Sequence, residues 1–256
     1  MKVSIITVCY NAQKYIQSCI DSVLAQDYPN IEYIIIDGNS KDNTVAILES
    51  YGNKISKWIS EPDKGLYDAM NKGLSIATGD LIGFLNADDL LAYDSAIREV
   101  VETLAAQKTD ALIAEVVHTQ EENTDEIIRH HHSRGYKPTH FEWGMMPAHL
   151  SFYTKKAFYD KFGGYDTQFR ICADYDLMMR FLYVNKLSYC YYPKVLVKMR
   201  TGGISNQGLK SIVRINKEIK RACEKNNVPT NWVKIYSKYF VKVFQLIQRP
   251  EPQETK

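Results

Sequence analysis

The sequence is poor in net charge, in long apolar runs and in glycine at the place where phosphate-binding loops need it. After its first β-branched segment come Tyr10-Asn11-Ala12-Gln13, without a glycine. A dinucleotide-binding Gly-x-Gly-x-x-Gly turn and the Gly-rich loop of sugar nucleotidyltransferases both rely on close backbone approach there, so both are disfavoured. A net charge of +2 supplies no global attraction for nucleic acid. The five cysteines (Cys9, Cys19, Cys172, Cys190 and Cys223) are scattered, odd in number and free of Cys-x-x-Cys spacing. That excludes a disulfide framework or a zinc site as an organising feature and favours a reducing compartment. No apolar run approaches the roughly 18 residues of a membrane-spanning helix. Met1-Lys2 leads into a strand too short for the apolar region of a signal peptide. The expectation is a cytoplasmic chain, unless its surface attaches it to the inner face of the cytoplasmic membrane.

What is present is regular alternation. Val3–Cys9 and Ile31–Ile36 read as strands, Ile55–Ile59 as a third, and Leu81–Leu85 as a buried fourth. Between them Ile16, Cys19, Ile20, Val23 and Leu24 recur at helical spacing behind Asn11, a candidate N-cap. Val45 and Leu48 follow Asp42, and Leu66, Ala69, Met70, Gly73, Leu74 and Ala77 form a third stripe. Strand and helix in turn predict an α/β fold over residues 1–90, with a parallel sheet and helices on both faces. A helix near Ser95–Gln107 and strands at Ala111–Val117 and Tyr189–Lys198 continue the pattern. Leu150–Tyr153 reads as a further strand, Asp174 as a helix start, and residues 118–147 as strands and long loops.

Charge divides the chain differently. Residues 210–249 hold ten Lys and Arg against Glu218 and Glu224, whereas the first 209 residues are net acidic. Trp232, Val233, Ile235, Tyr236, Tyr239, Phe240, Val243, Phe244 and Ile247 lie on one helical face beside Lys234, Lys238 and Lys242. This predicts a basic amphipathic helical tail, 210–256, that docks either on an anionic membrane or on the preceding domain.

Asn86-Ala87-Asp88-Asp89 follows the fourth strand, so two carboxylates reach the carboxyl edge of the sheet, where open α/β folds bind ligands. Carboxylates with few other ligands suit Mg²⁺ or Mn²⁺ that also holds a substrate phosphate; a polar loop capping the next helix has the same composition.

Five passages in order resemble inverting glycosyltransferases of family 2, which have the GT-A fold. They are Ser4 to Asn11, Ile35 to Thr44, Glu61 to Gly73, Gly79 to Asp89, and Gly163-Gly164-Tyr165-Asp166 through Asp174 to Arg180. The resemblance covers roughly residues 1–206, and its wording is that of enzymes of bacterial surface-polysaccharide assembly. It implies a GT-A, Rossmann-like, mostly parallel sheet, with a nucleotide-sugar-binding part at 1–90, an acceptor-binding part at 91–209, and the helical extension beyond.

It also implies roles. Thr7, Cys9, Tyr10 and Asn11 hold base and ribose, largely through backbone and an aromatic. Asp37 accepts from the base, and Asn71 lies near the donor. Asn86 stands where the family usually has the first Asp of Asp-x-Asp, Ala87 follows, and Asp88 is the metal ligand. Asp174 is the base, with Ala173 where the family usually has Glu. The partners implied are a nucleotide-sugar donor, UDP- or GDP-linked, and a saccharide or lipid-linked saccharide acceptor, with Mn²⁺ or Mg²⁺ as cofactor. His149 is either an acceptor-side contact or a structural histidine. Arg200-Thr201-Gly202-Gly203 is either a loop that closes over the diphosphate or a plain turn. His130-His131-His132 reads as solvated surface, since neighbouring strand residues point opposite ways. The competing readings are a sugar nucleotidyltransferase and a degenerate transferase that only binds the donor.

Overall fold

The computed structural model describes residues 1–201 and 208–247, with side chains through 201 and from 211 to 239. Its elements run β1 (Val3–Cys9), α1 (Ile16–Leu24), β2 (Ile31–Asp37), α2 (Thr44–Ser50), β3 (Lys57–Ser60), α3 (Leu66–Ile76), β4 (Leu81–Asn86), β5 (Leu90–Leu91) and α4 (Ala96–Gln107). Then follow β6 (Ala111–Thr119), β7 (Ile127–His131), β8 (Tyr153–Lys155), α5 (Lys156–Phe162), α6 (Ala173–Met179), β9 (Tyr189–Arg200), α7 (Gly208–Lys225) and α8 (Trp232–Ile247).

One sheet of nine strands runs β3-β2-β1-β4-β8-β6-β9-β5, with β7 beside β6. From β3 to β4 every pairing is parallel. Beyond β4 the sheet is mixed: β8 is antiparallel to β4 and β6, while β9 is parallel to β6. The first strands are apolar without interruption because both faces are covered. Val3, Ile5, Tyr33 and Ile35 point to one layer, packed with α1, α2 and α4. Ile6, Val8, Ile34 and Ile36 point to the other, packed with α3, α6 and α7. Each such isoleucine is fully buried and contributes about 1.5–3 kcal/mol. Gly83 of β4 carries no side chain for a packing reason: an added Cβ would sit 2.2 Å from the Tyr153 ring.

Three expectations shift. Ile55 is buried in a turn, and the third strand begins at Lys57. His149–Ser151 is a 3₁₀ turn, with β8 starting only at Tyr153. Asn11 is not a helix cap: it is left-handed, at φ 50°, and α1 starts at Ile16.

The basic C-terminal region shares the core. Ile219, Ala222, Cys223, Val228 and Ile235 are buried with α3 and α6. Lys238, expected beside an exposed apolar face, is itself buried. Trp232, Val233 and Tyr236 remain outside; the side chains of Phe240, Val243, Phe244 and Ile247 lie outside the described residues, as do Gly202 and Gly203.

Candidate active site

Register brings the carboxyl ends of three strands together, with Cys9 opposite Asp37 and Val8 opposite Asn86. The loops leaving β1 and β2 are laced by side chain to backbone. Asn11 Oδ1 accepts from the Lys41 N–H at 2.8 Å, and Asn11 N–H donates to Ser40 Oγ at 2.8 Å. Ala12 N–H donates to Thr44 Oγ1 at 2.8 Å, and Gln13 N–H to Asp42 Oδ2 at 3.1 Å. Asn11 is thus a brace of this edge, which explains its left-handed backbone.

Asp37 is fully buried and saturated. Its Oδ2 accepts from Ser40 N–H (3.0 Å) and Ser60 Oγ (2.6 Å); its Oδ1 accepts from Ser40 Oγ and from Cys9 Sγ at 3.5 Å. Thr7 points its hydroxyl into the core, 3.2 Å from Tyr33 Oη. The exposed members of this edge are others. Tyr10 is 63% exposed, and an added Cβ on Gly38 would lie 3.4 Å from its ring and 2.5 Å from Asp63 Oδ2. Gly38 therefore lets the Asp63 carboxylate and the Tyr10 ring pack closely over its backbone. Asp63 spends Oδ1 on the Gly65 N–H at 2.8 Å, while Oδ2 lies over Gly38. The Asp63-x-Gly65 turn is visible in the sequence, yet nothing there brings it to the exit of β2.

Asn71 also moves. Its Nδ2 donates to Tyr165 O (2.8 Å) and its Oδ1 accepts from Tyr165 N–H (2.9 Å), so both ends of the amide pin α3 to the 163–165 loop. Lys72 folds back onto Glu61 at 2.8 Å.

The acidic loop after β4 is organised by β9. Asn86 Nδ2 donates to Asp89 Oδ2 at 3.0 Å, and Arg200 N–H donates to Asp89 Oδ1 at 3.1 Å. The Arg200 guanidinium donates to the carbonyl of Asp88 (2.6 Å), to Ser18 Oγ (3.1 Å) and to the carbonyl of Glu121 (3.1 Å), and stacks on Tyr15 at 4.7 Å. Arg200 therefore braces the acidic loop from β9. Burial pushes both carboxyls above the usual range, and Asp88 pushes Asp89 further. The charge of Arg200 opposes the rise at Asp88; a carboxylate at this edge is the donor a hard divalent cation takes when the remaining ligands come from a substrate diphosphate. Among the described residues no cluster of three or more His, Cys, Asp or Glu is placed to hold a metal by itself. Ala87 is buried and offers only backbone. His131 ends β7 and His132 pairs with Glu115 at 2.8 Å.

Asp174 lies in the first turn of α6. Burial raises its carboxyl above the ordinary range; the charge of His149, the Tyr175 N–H and Tyr67 Oη oppose that rise. His149 Nδ1 is 3.6 Å away, Tyr67 Oη 3.4 Å, and the Tyr175 N–H donates at 2.8 Å. Two elements fix the approach to this helix. Tyr67 Oη donates to the carbonyl of Ile171. Glu218 of α7 accepts from the backbone N–H groups of Arg170 (3.3 Å), Ile171 (2.9 Å) and Cys172 (3.0 Å). The C-terminal region, read as an appendage, holds the loop that presents Asp174. The one signal was a carboxylate on an otherwise cationic helix face. Asp176 turns away and pairs with Arg180 at 2.8 Å.

The comparisons with known proteins agree with this geometry. The model of the glycosyl transferase family 2 matches residues 4–173. An uncharacterized glycosyltransferase of Mycobacterium tuberculosis is 35% identical over 184 residues, 70% of this chain and 68% of the relative. A PGL/p-HBAD biosynthesis glycosyltransferase of Mycobacterium bovis is 28% identical over 219 residues, covering 79% and 78%. Among solved structures, S. aureus TarS residues 1–349 superpose with a TM-score of 0.67 at 16% identity, over 99% of this chain and 77% of that one. The chain spans 43% of the longer TarS structure. TarS 1–349 in complex with UDP-GlcNAc gives 0.62 at 17% identity, covering 87% of this chain and 66% of that one. The mannosyltransferase PcManGT of Pyrobaculum calidifontis, in complex with GDP-Man and Mn²⁺, gives 0.61 at 14%, covering 98% and 76%. The sheet is that of GT-A enzymes, and this chain belongs to glycosyltransferase family 2.

Proposed function

We propose that the chain transfers one sugar from a nucleoside-diphosphate sugar to a hydroxyl of a saccharide or lipid-linked saccharide, with inversion, in the assembly of a surface glycan. The observation that carries this reading is Asp174, a carboxylate of raised basicity beside Tyr67 and His149. Tyr10, Asp37 and Asp63 lie together at the sheet edge assigned to the base of the donor, with Asn11 bracing its loops. UDP- and GDP-sugar complexes of the structural neighbours support a donor of that class.

In this mechanism Asp174 takes the proton of the acceptor hydroxyl while that oxygen bonds to the anomeric carbon. The bond from the anomeric carbon to the diphosphate breaks on the opposite face, and the electron pair leaves with the nucleoside diphosphate. Mn²⁺ or Mg²⁺ on Asp88 would supply charge neutralisation at that diphosphate. Arg200 keeps the Asp88 loop in place, and Tyr67 and Glu218 keep Asp174 in place.

No described helix is long and apolar enough to cross a membrane. Trp232, Val233 and Tyr236 of α8, with Trp143 beneath Lys234, form an exposed aromatic face that supports peripheral contact with an anionic cytoplasmic membrane surface. A thermal-shift panel of UDP- and GDP-sugars with Mn²⁺ or Mg²⁺, followed by NMR of the product anomer, tests the transfer. No shift with any donor, or a product that retains configuration, overturns it.

A further inference from the structure

We infer that the face of α7 beside the Asp174 loop is a binding site for a phosphate group carried by the acceptor; the inference rests on the transfer reading above. Arg214, Lys217, Glu218 and Arg221 recur at helical spacing and, with Val213, line a cavity of about 380 Å³. The carboxylate in this row is already spent on three backbone N–H groups of residues 170–172. Arg170, whose backbone N–H is one of the three, is exposed on that same loop. Arg170, Arg214 and Lys217 have no carboxylate partner among the described residues, while Arg221 leans on Phe169 (5.3 Å) and donates to Gln168 (2.6 Å). Nearby acids are occupied: Glu224 pairs with Lys220, and Asp166 with Lys225.

The result is a cavity lined by three cations and one carboxylate, net cationic, in a chain whose first 209 residues are net acidic. Its wall is bonded to Cys172, two residues before the base. An acceptor whose phosphate rested here would bring an adjoining sugar hydroxyl toward Asp174. Val213, about half exposed, and Ile212 beside it offer apolar surface next to the cations, as a phosphate with a hydrocarbon chain would require. A flat membrane contact would explain neither the cavity nor its tie to the catalytic loop.

The test is calorimetric titration of the full chain with inorganic pyrophosphate in EDTA at low salt, so that no metal bridges the anion to Asp88. Wild type and Asp88→Ala should bind alike; R214Q/K217Q should bind at least about tenfold more weakly with an unchanged thermal midpoint, and R214K/K217R should keep the affinity. Absence of binding to wild type, loss in Asp88→Ala, or indifference to R214Q/K217Q overturns the inference. Sedimentation with phosphatidylglycerol vesicles separates the sources: if R214Q/K217Q abolishes vesicle binding and spares pyrophosphate, the cations serve lipid headgroups and the acceptor site is wrong. Donor binding is read independently, by the thermal shift of wild type with UDP-GlcNAc or GDP-mannose and Mn²⁺. A null result there, with pyrophosphate still bound on α7, would fell the transfer reading and leave the phosphate site standing.

Discussion

The half of the sheet from β3 to β4 and the half from β8 to β5 solve the same problem differently. In the first, loops at one edge are tied to each other by bonds between residues 29 to 32 positions apart: Asn11, Ser40 and Thr44 join the exits of β1 and β2. In the second, the proposed base is held across longer separations: Tyr67, 107 positions earlier, lies beside Asp174, and Glu218 of α7 holds the loop before it. The edge proposed for the donor is therefore built within the first strands, and the setting of the proposed base draws on the whole chain.

Substitutions can break that contrast. Asp174→Asn should lower kcat by about 10²–10⁴ and leave donor affinity, measured by calorimetry, within about twofold; joint loss of donor binding would place Asp174 on the donor side. Glu218→Ala removes the acceptor of three backbone N–H groups. A loss of kcat approaching 10² is expected from misplacement of the base, with donor affinity unchanged and partial rescue by Glu218→Gln; unaltered turnover would make α7 a passive support. Asn86→Asp places a third carboxylate where an amide now donates to Asp89. The metal-free protein should lose about 1 kcal/mol in denaturant unfolding, restored by Mn²⁺; a variant equally stable without metal would show that Asn86 is not a tie of this loop. The smallest effect is in pH. Asp174 must be ionised to act, so activity rises through its raised pKa, and the charge of His149 opposes that rise. His149→Phe should move the acid limb of the kcat profile to higher pH; a limb that stays put would remove His149 from the electrostatics of the base.

The same contrast decides what could be read from the sequence. Strands β1, β2 and β4 and helices α1 and α3 were legible because uninterrupted β-branched runs and helical stripes leave few alternatives. Motif order brought Asp88 and Asp174 forward as candidates, and the structure puts Asp88 just past the end of β4 and Asp174 in the first turn of α6. In the mixed half α4, β6, β9 and the start of α6 were legible too; β8, with three residues, and the π-helical turn at Arg180–Val184 were not, because such short elements carry no periodicity. The side-chain bonds of Asn71 to Tyr165 and of Thr7 to Tyr33 were not legible, because each partner lies far along the chain. Asp63, Glu218 and Arg200 act through contacts that join distant parts of the chain, which no local pattern announces. The membrane reading of the tail meets a helix that buries Ile235 and Lys238 while leaving Trp232, Val233 and Tyr236 outside.

The hold of Arg200 on the acidic loop also sets an order of events during synthesis. Arg200 donates to the carbonyl of a residue 112 positions earlier. At roughly 5–20 residues per second, that interval is about 6–20 s of translation. For that time the parallel strands can pair while the carboxylates at their edge wait for the strand that braces them. The nascent chain thus acquires the parallel strands β1 to β4 well before it acquires β9, the strand that braces the acidic loop.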